Sequence, residues 1–121
     1  MRLFIVGLAL FVLAVPGHAF ADDLGFIHLS LMEGDVQVMV RDTTDWTDAV
    51  INLPLGEGDR LWVPYDAKAE LQVRGGVMVR ADGNTSTDVL SVTGDSAQFY
   101  LDRGHAYINN RRGGIATVQV D

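Results

Sequence analysis

The sequence predicts an all-β protein of about eight to nine short strands, arranged as a β-sandwich, a roll or a β-solenoid-like stack. Three observations support this prediction. Apolar and polar residues alternate in short runs, turn-forming residues separate the runs at intervals of about 8 to 12 residues, and a helical period of about 3.6 residues appears in no window longer than the N-terminal apolar segment. The candidate strands are residues 26–31, 36–40, 60–63, 69–74, 77–81, 89–92, 97–101, 105–109 and 115–120.

The N-terminus has the three parts of a secretory signal. Arg2 supplies the positive charge, residues 3–15 form an apolar run, and Ala19-Phe20-Ala21 is a small-residue cleavage site. This run is shorter than the roughly 20 residues that a membrane-spanning helix needs, so cleavage is favoured over a membrane anchor. We therefore expect a signal helix at 1–21 and a single β domain at 22–121.

Charge and cysteine content limit the classes of partner. The chain carries 9 basic and 16 acidic residues, for a formal charge of −7, and it has no cysteine. Such a balance repels phosphate backbones and anionic lipid headgroups, which argues against nucleic acid and membrane docking. Without cysteine there is neither a disulfide nor a lipid-attachment residue. Together with the signal pattern, this composition predicts a periplasmic or secreted protein with no stable membrane insertion after signal cleavage.

The first two candidate strands flank the turn formed by Glu33-Gly34-Asp35. The longest irregular stretch follows at 41–52 and carries Trp46 among aspartates. A single tryptophan in a polar loop commonly packs its large apolar ring on the core. We expect Trp46 to form such a lid, with a ligand platform as the alternative.

The clearest strand signals lie between Leu55 and Val73. Gly58 and Asp59 are turn formers, and the run at 60–63 has the β-branched and aromatic content of a strand. The next run alternates apolar with polar residues, so a period of two places its apolar members on one buried face. The expected core residues are Leu61, Val63, Leu71 and Val73.

The remaining strands are separated by turns suited to positive φ or tight geometry. These turns are Gly75-Gly76, Asp82-Gly83-Asn84, Thr93-Gly94-Asp95, Asp102-Arg103-Gly104 and Gly113-Gly114. The last strand, 115–120, would expose an unpaired edge. We expect concentration-dependent self-association through this C-terminal edge strand, and a single monomeric mass across a wide concentration range by light scattering would contradict it.

The order and spacing of these elements resemble the FecR-like domain of bacterial envelope proteins. In that family a Gly-Asp-hydrophobic turn and strand precede a short loop and an A-x-L strand. The resemblance covers residues 29–120. The matching residues are Glu33-Gly34-Asp35-Val36, Trp46, Leu55, Gly58-Asp59-Arg60-Leu61, Ala69-Glu70-Leu71, Asp82-Gly83, Leu101, Gly104, Ala106 and Ile108.

The resemblance implies a periplasmic domain that relays the occupancy of an outer-membrane iron-siderophore receptor to a cytoplasmic sigma factor. That relay needs a cytoplasmic segment and a membrane-spanning helix before the β domain, where this chain has a cleavable signal pattern. The family pattern also continues beyond the last strand with a Thr-Pro turn and further strands, whereas this sequence ends at Asp121. The expectation is a FecR-like domain that is truncated at the C-terminus and has no relay machinery.

Residue types that can ligate a metal or act in catalysis are present, but they lack the spacing that a metal site or a nucleophile motif needs. His28 and His105 have no nearby cysteine and no H-x-x-H spacing, and no serine lies in a G-x-S-x-G elbow. The stretch 82–88 resembles the start of a calcium loop but has Thr87 at the required glycine and Thr93 at the required glutamate, which favours a β-turn.

The pair Arg111-Arg112 is expected at a solvated hairpin tip, with docking of a carboxylate-bearing partner as the alternative. Most carboxylates are in turns, where aspartate bonds nearby backbone N–H groups. We therefore predict no catalytic, cofactor-binding or metal-ligating residue, and no cofactor.

The sequence thus predicts a non-enzymatic, exported FecR-like module for protein interaction or sensing in the bacterial cell envelope. The expected partner is an envelope protein or a glycan. One alternative is a truncated or degenerate fragment of a larger FecR-like protein without independent activity. Another is an exported hydrolase on a β scaffold, which would need two carboxylates that converge in a cleft.

Overall fold

The computed structural model describes residues 26–110 and 117–121, and these residues form strands, turns and bends without a helix. The predicted all-β character is confirmed, while the predicted signal segment lies outside the described residues. No helix within the described ranges is long and apolar enough to cross a bilayer. The strands are β1 (Ile27–Glu33), β2 (Gln37–Met39), β3 (Thr47–Asp48), β4 (Pro54–Leu55), β5 (Arg60–Val63), β6 (Lys68–Val73), β7 (Val77–Ala81), β8 (Thr85–Val92), β9 (Ser96–Arg103), β10 (Ala106–Asn110) and β11 (Thr117–Val120).

The strands form two sheets. The five-stranded sheet has the order β10-β7-β6-β1-β4, and the six-stranded sheet has the order β11-β9-β8-β5-β2-β3. Among the described strands every pair is antiparallel except β11 with β9. Antiparallel neighbours joined by short turns are typical of packed sheets. This arrangement of two mostly antiparallel sheets differs from a β-solenoid-like stack, which the sequence left open as an alternative.

One apolar core is built from the inward faces of both sheets. In β6 the residues Ala69, Leu71 and Val73 are buried and alternate with half-buried polar residues, as a period of two requires. The expected burial of Leu61, Val63, Leu71 and Val73 is confirmed. The core consists of Ile27, Leu29, Val36, Val38, Ala49, Leu55, Leu61, Val63, Ala67, Ala69, Leu71, Val73, Val77, Val79, Ala81, Val89, Ala97 and Phe99.

Strand β8 begins four residues before the strand that the sequence predicted at 89–92. The first residues of β8 are polar and resemble a loop in the sequence, yet Thr85 and Thr87 point inward and are buried. Their hydroxyls are satisfied inside the protein: Thr85 Oγ1 donates to the His105 carbonyl at 3.2 Å, and Thr87 Oγ1 donates to the Tyr100 carbonyl at 2.9 Å. Because each buried hydroxyl has a partner, burial carries no large desolvation penalty.

The stretch 41–52 is less irregular than the sequence suggested, because β3 lies within it and pairs with β2. The expectation that Trp46 forms a lid is wrong, since its side chain is 42% exposed and lies outside the core cluster. Ala49 and Leu53 pack on the core in this part of the chain instead. The strand pairing of Thr47 and Asp48 holds the segment at the sheet edge, which leaves the neighbouring indole in solvent.

Strand β11 is at the edge of the six-stranded sheet. Its pairing with β9 extends to the last residue, where the Leu101 N–H donates to the Asp121 carbonyl and the Asp121 N–H donates to the Phe99 carbonyl, both at 3.0 Å. No other described strand pairs with its free side. Self-association through this edge therefore stays a prediction.

Candidate binding site on the six-stranded sheet

The outward side chains of β5, β8 and β9 form a mixed aromatic and polar surface. On β5, Arg60 and Trp62 alternate with buried Leu61 and Val63, so they point away from the core. The strand register aligns Arg60 with Asp88 and Asp88 with Tyr100 in one row. The next row aligns Trp62 with Ser86. We call this surface the Trp62/Tyr100 face, and its members are Arg60, Trp62, Ser86, Asp88, Tyr100 and Asp102.

A β-bulge brings Asp102 to this surface. The register shifts between the Ser86–Arg103 pair and the Thr87–Leu101 pair, so Asp102 is an extra residue on β9. Such a bulge bends the strand and changes the direction of its side chains. Asp102 accordingly lines a shallow hollow of about 170 Å³ together with Arg60, Ser86, Asp88 and Tyr100.

An ion pair joins β5 to β8 on this face. The Nε atom of Arg60 is 3.4 Å from Oδ1 of Asp88, and the two side chains are 54% and 21% exposed. A pair this exposed is screened by water and contributes little to stability. Its main effect is to hold a cationic donor and an anionic acceptor side by side at the surface.

The other polar groups of the face have no partner within the described part of the chain. The Ser86 and Tyr100 hydroxyls, the Trp62 indole N–H and the Asp102 carboxylate make no hydrogen bond or ion pair there. Tyr100 is 43% exposed, so its ring and its hydroxyl are both accessible. The face therefore presents donors, acceptors and an aromatic ring that a ligand can use.

The outer face of the five-stranded sheet has a larger hollow, of about 270 Å³, lined by Glu70, Met78, Arg80, Tyr107 and Asn109. Here the aromatic ring is already engaged, because the Arg80 guanidinium lies 4.9 Å from the centroid of Tyr107. Arg80 Nε is also 3.4 Å from Asp82 Oδ1, although without the alignment of a hydrogen bond. These internal contacts make this surface the weaker candidate for a ligand.

A third hollow, of about 180 Å³, lies beside β2 and β3. Its lining includes Asp48, whose Oδ1 accepts a hydrogen bond from Gln37 Nε2 at 2.7 Å. The hollow offers no exposed large aromatic side chain among its lining residues. It has less recognition chemistry than the Trp62/Tyr100 face.

The residues that the sequence raised as metal ligands do not come together. His28 is on the outer face of β1, while His105 is exposed just before β10. In the stretch 82–88, a turn at 83–84 leads directly into β8. Among the described residues no three His, Cys, Asp or Glu side chains form a group able to hold a metal ion. The pair Arg111-Arg112 lies outside the described residues.

The sequence-based prediction missed this face, because it placed Ser86 and Asp88 only in a calcium-loop-like stretch interpreted as a β-turn, and it gave Trp62 and Tyr100 no binding role. The missing signal was the inward alternation of Thr85, Thr87 and Val89, which predicts an outward Ser86 and Asp88 once threonine is counted as a β-branched strand former. Pairing between β5, β8 and β9 then completes the surface.

Comparison with protein-family models, curated proteins and solved structures finds no match to this chain. The Trp62/Tyr100 face has one guanidinium, two carboxylates, two hydroxyls and an indole N–H, carried by β5, β8 and β9, and each of these three strands is paired on both sides. Such a surface is suited to binding a flat, polar ligand with little rearrangement.

Proposed function

We propose that this protein is a non-enzymatic, exported binding module of the FecR-like type that acts in the bacterial cell envelope. The Trp62/Tyr100 face binds its partner, an envelope protein or a glycan. The signal pattern at 1–21 supports export, and the order of the Gly-Asp turns and strands supports the FecR-like type. The protein works by attachment and recognition, and it requires no cofactor.

The observation that carries this proposal is that several accessible polar side chains without a partner lie together on one surface of paired strands. Within the described part of the chain, Ser86, Tyr100 and Asp102 make no side-chain hydrogen bond or ion pair, although they line the same hollow. By contrast, the Arg80 and Tyr107 side chains on the opposite sheet contact each other. Groups that stabilise nothing inside the protein are available to stabilise a complex.

An exported hydrolase is the second candidate, because Asp88 and Asp102 line one hollow. Two carboxylates facing a shared space are the minimum for acid and base catalysis of glycoside cleavage. Asp88 already contacts Arg60, however, so its carboxylate is engaged as an ion-pair partner. This contact favours a binding role for the hollow over a catalytic one.

Binding to envelope material tests the proposed function. The purified protein is mixed with bacterial envelope fragments and sedimented, and we expect it to appear in the pellet. The double variant Tyr100→Ala/Asp102→Asn is expected to lose roughly tenfold in apparent affinity, since it removes two central contacts. The measurement is the bound fraction as a function of fragment concentration.

The matched control is Tyr107→Ala. Tyr107 is also an exposed strand tyrosine, at 54%, but it lies on the opposite sheet. Its removal is expected to leave sedimentation unchanged. Absence of the wild-type protein from the pellet, or equal retention of wild type and the double variant, would refute the assignment. Release of soluble products from the fragments would instead favour the hydrolase.

A further inference from the structure

We infer that the ligand of the Trp62/Tyr100 face is a chain of pyranose sugar rings. This inference rests on the proposed function of that face as a binding surface. Three features of the face support this class of ligand: the placement of the aromatic rings, the mixture of donors and acceptors, and the charge.

The two aromatic side chains flank the polar centre at a spacing suited to a sugar chain. Trp62 and Tyr100 are two strands and two residues apart in the register, which corresponds to about 12 Å between their positions on the sheet. The face of an aromatic ring carries a negative quadrupole potential. It therefore attracts the weakly positive C–H groups on the flat side of a pyranose, so the two rings can stack on separate sugar units of one chain.

The polar groups beside and between the aromatic residues match the edge of a sugar. A hydroxyl group both donates and accepts hydrogen bonds, so a ligand rich in hydroxyls needs both kinds of partner at close range. The Arg60 guanidinium donates, the Asp88 and Asp102 carboxylates accept, and the Ser86 hydroxyl does either. Arg60 Nε and Asp88 Oδ1 are 3.4 Å apart, which places a donor and an acceptor within reach of neighbouring hydroxyls on one ring.

The charge of the face and of the chain argues against anionic polymers. The hollow contains one cationic and two anionic side chains, and the whole chain carries −7. A nucleic acid or an acidic polysaccharide would be repelled. The inferred ligand is therefore a neutral or amino-substituted glycan.

A protein partner fits the same surface less well. Stable protein interfaces usually have an apolar centre and a polar rim. This face has the reverse order, since the polar residues Ser86 and Asp88 of β8 lie between Trp62 on β5 and Tyr100 on β9 in the register. A polar centre with flanking aromatic rings favours a sugar chain over a protein surface.

Calorimetric titration with defined oligosaccharides tests the inference. The probes are the β-1,4-linked tetramers of glucose and of N-acetylglucosamine, with the corresponding monosaccharides for comparison. We expect at least one tetramer to bind about tenfold more tightly than its monosaccharide, because both aromatic rings contribute only to a longer chain. Trp62→Ala and Tyr100→Ala are each expected to weaken tetramer binding by about tenfold.

Tyr107→Ala is the matched control and is expected to bind the tetramer like the wild type. Circular dichroism and thermal melting verify that each variant is folded, and any variant that fails to fold is replaced by Trp62→Phe or Tyr100→Phe, for which a smaller loss is expected. No binding of either tetramer, or binding that is unaffected at both aromatic positions, would overturn the inference. If the protein nevertheless sediments with envelope fragments, the proposed function stands and only the ligand class is wrong.

Discussion

Replacement of Phe99 by alanine is expected to lower the free energy of unfolding by about 3–5 kcal/mol. Phe99 is 1% exposed and belongs to the largest fully buried side chains of the core. It lies on β9 between its register partners Val89 of β8 and Val120 of β11. Its removal opens a cavity that paired strands cannot collapse around, so lost transfer energy and lost packing contacts add together.

Urea unfolding followed by circular dichroism measures this effect. The neighbouring variant Tyr100→Ala is the control, because Tyr100 follows Phe99 on the same strand but points outward and is 43% exposed. It is expected to change the unfolding free energy by less than about 1 kcal/mol. Equal losses at the two positions would contradict the inward and outward assignment of β9.

The expected loss at Phe99 is large relative to the whole stability of the chain. Domains of this size are stable by only about 5–15 kcal/mol, and no disulfide supplements the core because the chain has no cysteine. The variant is therefore expected to melt well below the wild type and to be partly unfolded under mild denaturing conditions. The Tyr100→Ala variant remains folded, which makes it usable in binding experiments.

The parts of the fold that follow from local alternation were predictable from the sequence. The strands at 60–63 and 77–81 have the bounds that the sequence predicts, because their apolar residues alternate cleanly and turns flank them. The same alternation identified Leu71 and Val73 as core residues. Local periodicity was sufficient for these strands, because the residues that they bury are apolar.

The sequence-based prediction of burial failed where contacts between distant parts of the chain override the local sequence pattern. Thr85 and Thr87 look like loop residues, but partners distant in the sequence satisfy their hydroxyls and allow burial. Trp46 looks like a core residue, but the pairing of the short strand β3 leaves it exposed. Local alternation could have indicated the strand at Thr85 and Thr87, but the partners of their hydroxyls and the exposure of Trp46 depend on strand pairing.

The candidate site was unpredictable for a similar reason. Its members come from three strands, and β5 and β8 are separated by β6 and β7, which belong to the other sheet. Only the register of β5 with β8 and of β8 with β9 brings Arg60, Asp88 and Tyr100 into one row. The bulge that adds Asp102 is likewise a property of strand pairing.

Gly104 combines two constraints that no other residue type satisfies. Its φ is +98°, in the left-handed region that side chains disfavour, and a Cβ there would lie only 2.6 Å from the Thr85 Cα atom. The close approach is fixed by Thr85, whose Oγ1 donates to the His105 carbonyl at 3.2 Å and accepts from the His105 N–H at 3.1 Å. The sequence predicted a turn at this glycine, but it gave no signal of the contact with β8.

Gly104→Ala is accordingly expected to lower the free energy of unfolding by about 2–5 kcal/mol, from the strained φ and from overpacking against backbone atoms that cannot move cheaply. The matched control is Gly94→Ala, because a Cβ at Gly94 would have no heavy atom within 4 Å and its φ is not in the left-handed region. That variant is expected to stay within about 1 kcal/mol of the wild type. Urea unfolding of both variants measures the difference. A Gly104→Ala protein as stable as Gly94→Ala would show that the turn before β10 does not pack against Thr85, and the docking of that turn on β8 would have to be abandoned.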